Sequence, residues 1–158
     1  MDSPGSVETI ALRALERLRS RSPSLCELLS DTDVAANVTL LAVASDFAIA
    51  TLHQQPGLLP SLIRGNAAVA PVLADQDTSQ WPVLLRRFRA AESARLVWRD
   101  VLGQDDVDAT LAGSTQLAEC CLQLALDALE REFVQRYGVV RNAAGVAQRL
   151  VVFGLGKL

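Results

Sequence analysis

The sequence predicts a mainly α-helical protein, a bundle of about four long helices followed by one terminal β-strand. Three observations favour this fold class. Apolar residues recur with the helical period of 3.6 residues until about Tyr137. All six prolines lie at or before Pro82, so the second half of the chain can form longer helices. Only the run from Arg149 to Phe153, β-branched and aromatic and followed by Gly154, has the pattern of a buried strand.

Two helices are predicted in the first half of the chain. An amphipathic helix is expected at about residues 6–19, with Ser6 as its N-cap. A longer helix is expected at about residues 33–54, with Asp33 as its N-cap. Apolar residues fall on all sides of this second helix, a pattern typical of a buried helix. Asp46 lies within it, so the sequence predicts a carboxylate in apolar surroundings.

Two more helices are predicted in the second half, at about residues 80–102 and 106–137. Pro82 suits the first turn of the third helix, and Gly138 suits the end of the fourth. At 100° per residue, Arg95 and Arg99 project into the apolar face of the third helix. An unpaired buried charge is costly, so we expect Asp46 to pair with Arg95 or Arg99, Arg95 being favoured. The alternative is that both arginines reach the rim of the core and bury only their stems.

Composition excludes several classes of protein. The chain has 158 residues and a net charge of −3, which argues against a dedicated nucleic-acid binder. Its three cysteines and single histidine offer no zinc-ligand spacing, and a reduced, cytoplasmic compartment is expected. Cys120 and Cys121 are interpreted as small apolar residues rather than a redox pair. The first residues lack the pattern of a signal peptide, and no membrane span is expected.

Acidic residues cluster where the fourth helix is predicted to begin, at Asp105, Asp106 and Asp108. Carboxylates at a helix N-terminus interact favourably with the helix dipole, which is the preferred interpretation. A metal site is the less favoured alternative.

The predicted strand leads into Gly154-Leu155-Gly156-Lys157-Leu158. Glycines allow a backbone to approach phosphate and a lysine offsets its charge, so Gly154, Gly156 and Lys157 are candidate nucleotide-binding residues. The alternatives are an ordinary strand end and a solvated lysine, since the spacing is too short for a Walker A loop. A lone strand has no partner for its backbone groups, so the chain is predicted to be the front part of a longer protein.

Several motifs, in order, resemble the N-terminal part of the bacterial bifunctional glutamine synthetase adenylyltransferase/adenylyl-removing enzymes. The resemblance covers about residues 34–158, and its final nine residues are the most specific part. The matching segments are Ser45-Asp46-Phe47 with Gln55-Pro56, Leu85-Arg86-Arg87-Phe88-Arg89, Arg95-Leu96-Val97-Trp98-Arg99-Asp100, residues 111–129 with Tyr137-Gly138, and residues 150–158.

The resemblance implies two nucleotidyltransferase domains in the full-length family. One removes AMP from a tyrosine of glutamine synthetase by phosphorolysis, and the other attaches AMP from ATP. Mg²⁺ and ATP or ADP are the implied cofactors, and the implied partners are glutamine synthetase and a PII-type nitrogen-signal protein. The Asp-x-Asp metal ligands of the family come after the glycine motif, where this chain has ended. No catalytic residue and no metal ligand is therefore expected in this chain. The isolated chain is expected neither to bind nucleotide tightly nor to be active.

The expected domain organisation follows from the resemblance. Residues 1–138 form an N-terminal helical region, residues 139–147 a linker, and residues 148–158 the first strand and glycine turn of a truncated nucleotidyltransferase domain. Two other functions remain open at this point. One is a helical protein-interaction module, and the other is an unrelated nucleotide-binding enzyme truncated at its first glycine loop.

Overall fold

The computed structural model of the chain describes residues 4–74 and 76–154. In this part of the chain there are seven α-helices and one 3₁₀ turn, and no β-strand. The helices are α1 (Pro4–Arg19), α2 (Pro23–Leu28), α3 (Thr32–Ala44), α4 (Asp46–Gln54), α5 (Leu58–Ile63), α6 (Trp81–Val101) and α7 (Val107–Tyr137), and the 3₁₀ turn is Thr78–Gln80. The predicted mainly α class is confirmed.

Three of the four predicted long helices are present as α1, α6 and α7, each within two residues of its predicted bounds. Local chemistry explains these ends. The Asp106 side chain accepts a hydrogen bond from the Ala109 amide at the start of α7. Gly138 ends that helix with a φ of 82°, a value that glycine adopts without strain. Pro82 lies in the first turn of α6, where its missing N–H costs no hydrogen bond.

The prediction of one continuous helix at residues 33–54 is wrong, because Ser45 separates α3 from α4. Ser45 has extended backbone angles, φ −156° and ψ 103°. Its amide donates to Leu41 at the end of α3, and its hydroxyl accepts from the Ala48 amide at 3.2 Å. One residue thus closes the first helix and caps the second, which the sequence Ser45-Asp46 is well suited to do.

The main core lies among α1 to α6. Helix α6 packs against α3, α4 and α5, and α1 packs against α2, α3 and α4. The fully buried large side chains of this core are Leu18, Leu25, Leu29, Val38, Leu41, Leu52 and Leu59.

The expectation that residues 33–54 are buried on every side is wrong. Leu40, Val43 and Phe47 are about half exposed, because the neighbouring helices cover only part of the surface of α3 and α4.

Helix α7 packs mainly against α6. Gly113 makes this approach close, since a Cβ atom at that position would lie 2.5 Å from Cδ2 of Leu96. A small second cluster of buried residues contains Leu73, Trp81 and Ala128. Ala128 is the one residue of α7 that is buried, so most of this long helix is available on the surface of the described chain. No described helix is both long enough and apolar enough to cross a membrane.

The predicted terminal strand is not formed in the part of the tail that the structure describes. Residues 149–154 belong to neither a helix nor a strand, and they are exposed. The one β-bridge among the described residues joins Arg141 and Ala147, before this segment. The physical reason is the lack of a partner, since a single strand cannot satisfy its own backbone groups.

Candidate functional site

An open groove of about 1720 Å³ lies between the C-terminal half of α7 and residues 139–154. The apolar residues of α7 that line it include Leu122, Leu126, Leu129 and Phe133, which we call the α7 stripe. Their spacing of four, three and four residues places them on one face of the helix. The opposite wall includes the apolar residues 150–153. Residues 147–154, which lead to the predicted nucleotide-binding motif, line this groove, so it is the candidate site.

A compact turn brings the chain back alongside α7. The Asn142 side-chain oxygen accepts hydrogen bonds from the backbone amides of Ala144 and Val146. The backbone amide of Asn142 donates to the Val146 carbonyl. Gly145 has a φ of 78°, which this turn requires and which glycine tolerates. The Gln148 amide donates to the Val140 carbonyl at 2.8 Å and closes the turn. The predicted linker at residues 139–147 is thus a turn with defined hydrogen bonds.

Arg149 fixes the segment after the turn to α7. Its Nε lies 3.0 Å from both carboxylate oxygens of Glu130, and its Nη2 lies 2.6 Å from Oε2 of the same residue. Asp127 lies further from Nη2, at 3.5 Å. Hydrogen bonds from Arg149 lower the pKa of Glu130 and, reciprocally, raise the pKa of Arg149. The contact is exposed, so its main effect is to set the position of the segment rather than to stabilise the fold.

The three predicted nucleotide-binding residues are only partly described. Gly154 is exposed and follows Phe153 at the end of the extended segment. Gly156 and Lys157 lie outside the described residues. Nucleotide binding by these three residues therefore stays a prediction.

The predicted ion pair between Asp46 and Arg95 or Arg99 is wrong. Asp46 is exposed in the first turn of α4, where a carboxylate is favoured by the helix dipole without any basic partner. Arg95 bonds instead to Glu92, one turn earlier on the same helix, at 2.8 Å. Arg99 bonds to Asp105. Both arginines thus find partners close in sequence, and both are only partly buried.

Glu92 is a buried carboxylate with a structural role that the sequence did not predict. It is buried on α6 and accepts hydrogen bonds from Arg95 and from the Ala68 amide. It therefore holds the loop after α5 against α6. A signal for the Arg95 contact was present, because oppositely charged residues three apart on a helix lie side by side. The Ala68 contact has no comparable local signal.

Metal and thiol chemistry find no support in the described residues. No group of three or more His, Cys, Asp or Glu side chains within residues 4–74 and 76–154 could hold a metal ion. Two carboxylates of the acidic cluster at the start of α7 make other contacts, since Asp105 bonds to Arg99 and Asp106 caps the helix. Burial, together with the neighbouring Cys120, raises the pKa of the Cys121 thiol, which disfavours a reactive thiolate.

Comparisons with known proteins agree on one family. The family model described as glutamate-ammonia ligase adenylyltransferase matches residues 35–158. Three similar proteins carry the name bifunctional glutamine synthetase adenylyltransferase/adenylyl-removing enzyme. The one from Stenotrophomonas maltophilia strain K279a is 52% identical over 99% of this chain. Those from Xanthomonas campestris pv. campestris strain B100 and Shewanella loihica are 58% and 30% identical, over 75% and 98% of this chain.

The matched region is a small part of these relatives. It covers 17% of the Stenotrophomonas and Shewanella proteins and 13% of the Xanthomonas protein. No solved structure is a significant match to the chain.

Proposed function

The chain belongs to the glutamate-ammonia ligase adenylyltransferase family, and from this membership we propose that it forms the N-terminal part of an enzyme that adds AMP to glutamine synthetase and removes it. One observation carries the proposal. Similarity to the bifunctional enzymes extends over nearly the whole chain, whereas the chain spans 17% of the Stenotrophomonas relative. The described residues thus supply one portion of a much larger protein of this kind.

In this proposal the helices position a strand that opens the first nucleotidyltransferase core. Helix α7 and the turn at residues 139–148 direct the chain into residues 149–154, and Arg149 holds that segment against Glu130. Gly154, Gly156 and Lys157 would then face a phosphate of the nucleotide, where glycines permit close approach and the lysine offsets negative charge. No described residue is assigned a catalytic role.

Mg²⁺ and ATP or ADP are cofactors of the proposed full-length enzyme. The described residues do not fit a metal site, because they contain no suitable cluster of ligands. No step through the metal is therefore assigned to this chain. We also propose a cytoplasmic location and, as partners of the full-length enzyme, glutamine synthetase and a PII-type nitrogen-signal protein.

A chimera tests the proposed function. This chain replaces the matching portion of the Stenotrophomonas relative, and AMP addition to glutamine synthetase and AMP removal from its adenylylated form are measured. We expect the chimera to retain AMP removal and the isolated chain to show neither reaction. In the chimera, Lys157→Ala should lower AMP removal on the order of tenfold or more, while Lys157→Arg retains much of it, since phosphoryl chemistry depends on positioned positive charge.

Two results would contradict the proposal. One is Mg²⁺-dependent AMP release by the isolated chain. The other is a folded chimera without AMP removal, compared with an active parent enzyme that has been purified and assayed in the same way.

A further inference from the structure

A second, smaller pocket of about 300 Å³ lies between α5, the loop that follows it and the first half of α6. No residue of this pocket lines the groove beside α7, so the two are separate sites. Its apolar wall is formed by Leu58, Leu84, Phe88 and Ala91, all of which except Leu84 are buried. The volume is at the lower end of the range for small-molecule pockets, roughly 300–1,000 Å³.

Hydrogen bonds hold two walls of this pocket in place. On one side, Nε2 of Gln55 donates to the Arg87 carbonyl at 3.1 Å, and Nε of Arg87 lies 3.3 Å from Oε1 of Gln55. On the other side, the Ala68 amide donates to the carboxylate of Glu92, which fixes the loop after α5 against α6. The pocket is therefore largely preformed, which lowers the entropy that a ligand and its site lose on binding.

Arg87 is the charged residue that lines the pocket. Its Nε bonds to Gln55, whereas Nη1 and Nη2 make no hydrogen bond or ion pair within residues 4–74 and 76–154. No Asp or Glu residue lines the pocket. Glu92, which contacts the loop at Ala68, is already bonded to Arg95. The two terminal nitrogens of Arg87 are therefore available to donate to an anion.

The walls of the pocket come from two stretches of sequence without negative charge. All of its lining residues fall within residues 47–74 and 78–91, and neither stretch contains Asp or Glu. The basic residues of the two stretches are Arg64, Arg86, Arg87 and Arg89. A chain with a net charge of −3 thus has a locally positive region around this pocket, which favours an anionic ligand over a cationic one.

We propose that this pocket binds a small aliphatic carboxylate, an acid with a short hydrocarbon chain. The hydrocarbon chain packs against Leu58, Leu84 and Phe88. The carboxylate accepts hydrogen bonds from Nη1 and Nη2 of Arg87, since a planar guanidinium suits a planar carboxylate. The inference does not depend on the proposed function, because the pocket is separate from the groove beside α7 and all of its lining residues are described.

Titration of the isotope-labelled chain with isocaproate, followed by the NMR signals of its amides, tests the inference. The amides of Gly57 and Ala68, which line the pocket, should shift in a saturable way. We expect a Kd of roughly one millimolar, because a ligand of so few atoms gains limited free energy. The amide of Gly113, at the contact between α6 and α7, is the internal control and should not shift.

Two further probes separate the charge of the ligand from its apolar part. Isocaproamide has the same hydrocarbon chain without the negative charge, and acetate has the charge without the chain. Each should bind at least about fivefold more weakly than isocaproate, because each loses one of the two kinds of contact.

Two arginines on the same helix provide a matched pair of variants. Arg87→Gln removes the guanidinium that lines the pocket, whereas Arg86→Gln removes an exposed guanidinium that does not line it. The first should weaken isocaproate binding about three- to tenfold, and the second should change it by less than about twofold. Arg87→Lys keeps the charge without the paired geometry, so its affinity should be intermediate. Both arginines are exposed, so the urea midpoint should remain close to that of the unaltered chain.

Three outcomes would overturn the inference. The first is the absence of a saturable shift at Gly57 and Ala68 up to about twenty times the expected Kd. The second is equal affinity for isocaproate and isocaproamide. The third is an equal loss of affinity in Arg87→Gln and Arg86→Gln. An inactive chimera would reject the proposed function and leave this inference standing, since the titration uses the isolated chain.

Discussion

Arg99 and Asp105 join the last turn of α6 to the loop that leads into α7. Nε of Arg99 lies 2.7 Å from Oδ2 of Asp105, and Nη2 lies 2.5 Å from Oδ1. This paired geometry matches the planar guanidinium to the planar carboxylate. Hydrogen bonds from Arg99 lower the pKa of Asp105, and the same bonds raise the pKa of Arg99. The pair therefore ties the last turn of α6 to the residue that precedes the N-cap of α7.

The pair gives the fold a defined dependence on acid. Because the folded-state pKa of Asp105 is below its ordinary value of 3.8, the carboxylate stabilises the fold above about pH 4. This contribution is lost as the pH falls through the lowered pKa. We expect Asp105→Asn to lower the urea midpoint at about pH 7, and the difference from the unaltered chain to shrink steadily from about pH 4 to about pH 2.

Asp108→Asn is the control for this titration. Asp108 is an exposed carboxylate in the first turn of α7, a few residues from Asp105. Its replacement should change the urea midpoint less than Asp105→Asn at neutral pH. An Asp105→Asn effect that is constant between about pH 7 and pH 2 would show that the ionised pair does not contribute to stability.

Adjacent leucines on α3 test which face of that helix is in the core. Leu41 is fully buried, whereas Leu40 is 53% exposed. Replacing a buried leucine by alanine removes contacts and leaves a cavity, so Leu41→Ala should lower the free energy of unfolding by about 2–5 kcal/mol. Leu40→Ala should change it by less than about 1 kcal/mol. Urea unfolding of the two variants measures both values, and equal losses would mean that the outer face of α3 is also packed.

The sequence was sufficient to predict the long helices that have clear caps. Helices α6 and α7 combine a helical period with local end signals, Pro82 in one case and Asp106 with Gly138 in the other. Such signals act within one or two turns, so they can be recognised without knowledge of tertiary contacts. The break at Ser45 also had a local signal, but the continuous apolar pattern of residues 33–54 concealed it.

Tertiary relationships were harder to predict, as Asp46 shows. Its apolar neighbours in sequence suggested burial, yet the N-terminal position in α4 leaves its side chain in solvent. The basic residues that were expected to pair with Asp46, namely Arg95 and Arg99, bond to nearby carboxylates instead.

The candidate site was difficult to predict for a different reason. Its groove depends on how the turn at residues 139–148 returns the chain to α7, and the strand in the tail requires a partner that the chain itself does not provide.

The cap at Ser45 can be tested by a conservative exchange. Ser45→Ala removes the hydroxyl that accepts from the Ala48 amide and should cost about 1 kcal/mol of stability. Ser45→Asn supplies another side-chain acceptor and should restore most of that loss. Thermal or urea unfolding of the two variants measures the difference. Equal stability of both variants would indicate that the side chain of Ser45 does not cap α4.

Gly113 and Leu96 set the distance between α6 and α7. A Cβ atom at residue 113 would lie 2.5 Å from Cδ2 of Leu96, which is itself buried, so the leucine would have to move. Overpacking of this kind costs about 1–3 kcal/mol, and the higher helix propensity of alanine returns about 1 kcal/mol. Gly113→Ala alone should therefore be destabilising by about 1 kcal/mol.

The sign of this effect should reverse when Leu96 is shortened. In the Leu96→Ala background the space beside residue 113 is open, so Gly113→Ala should stabilise the chain by about 1 kcal/mol through helix propensity alone. A double-mutant cycle measured by urea unfolding gives the coupling between the two positions, expected to be about 1–3 kcal/mol. If Gly113→Ala has the same effect in both backgrounds, Leu96 does not limit the approach of α7, and the glycine is tolerated there for another reason.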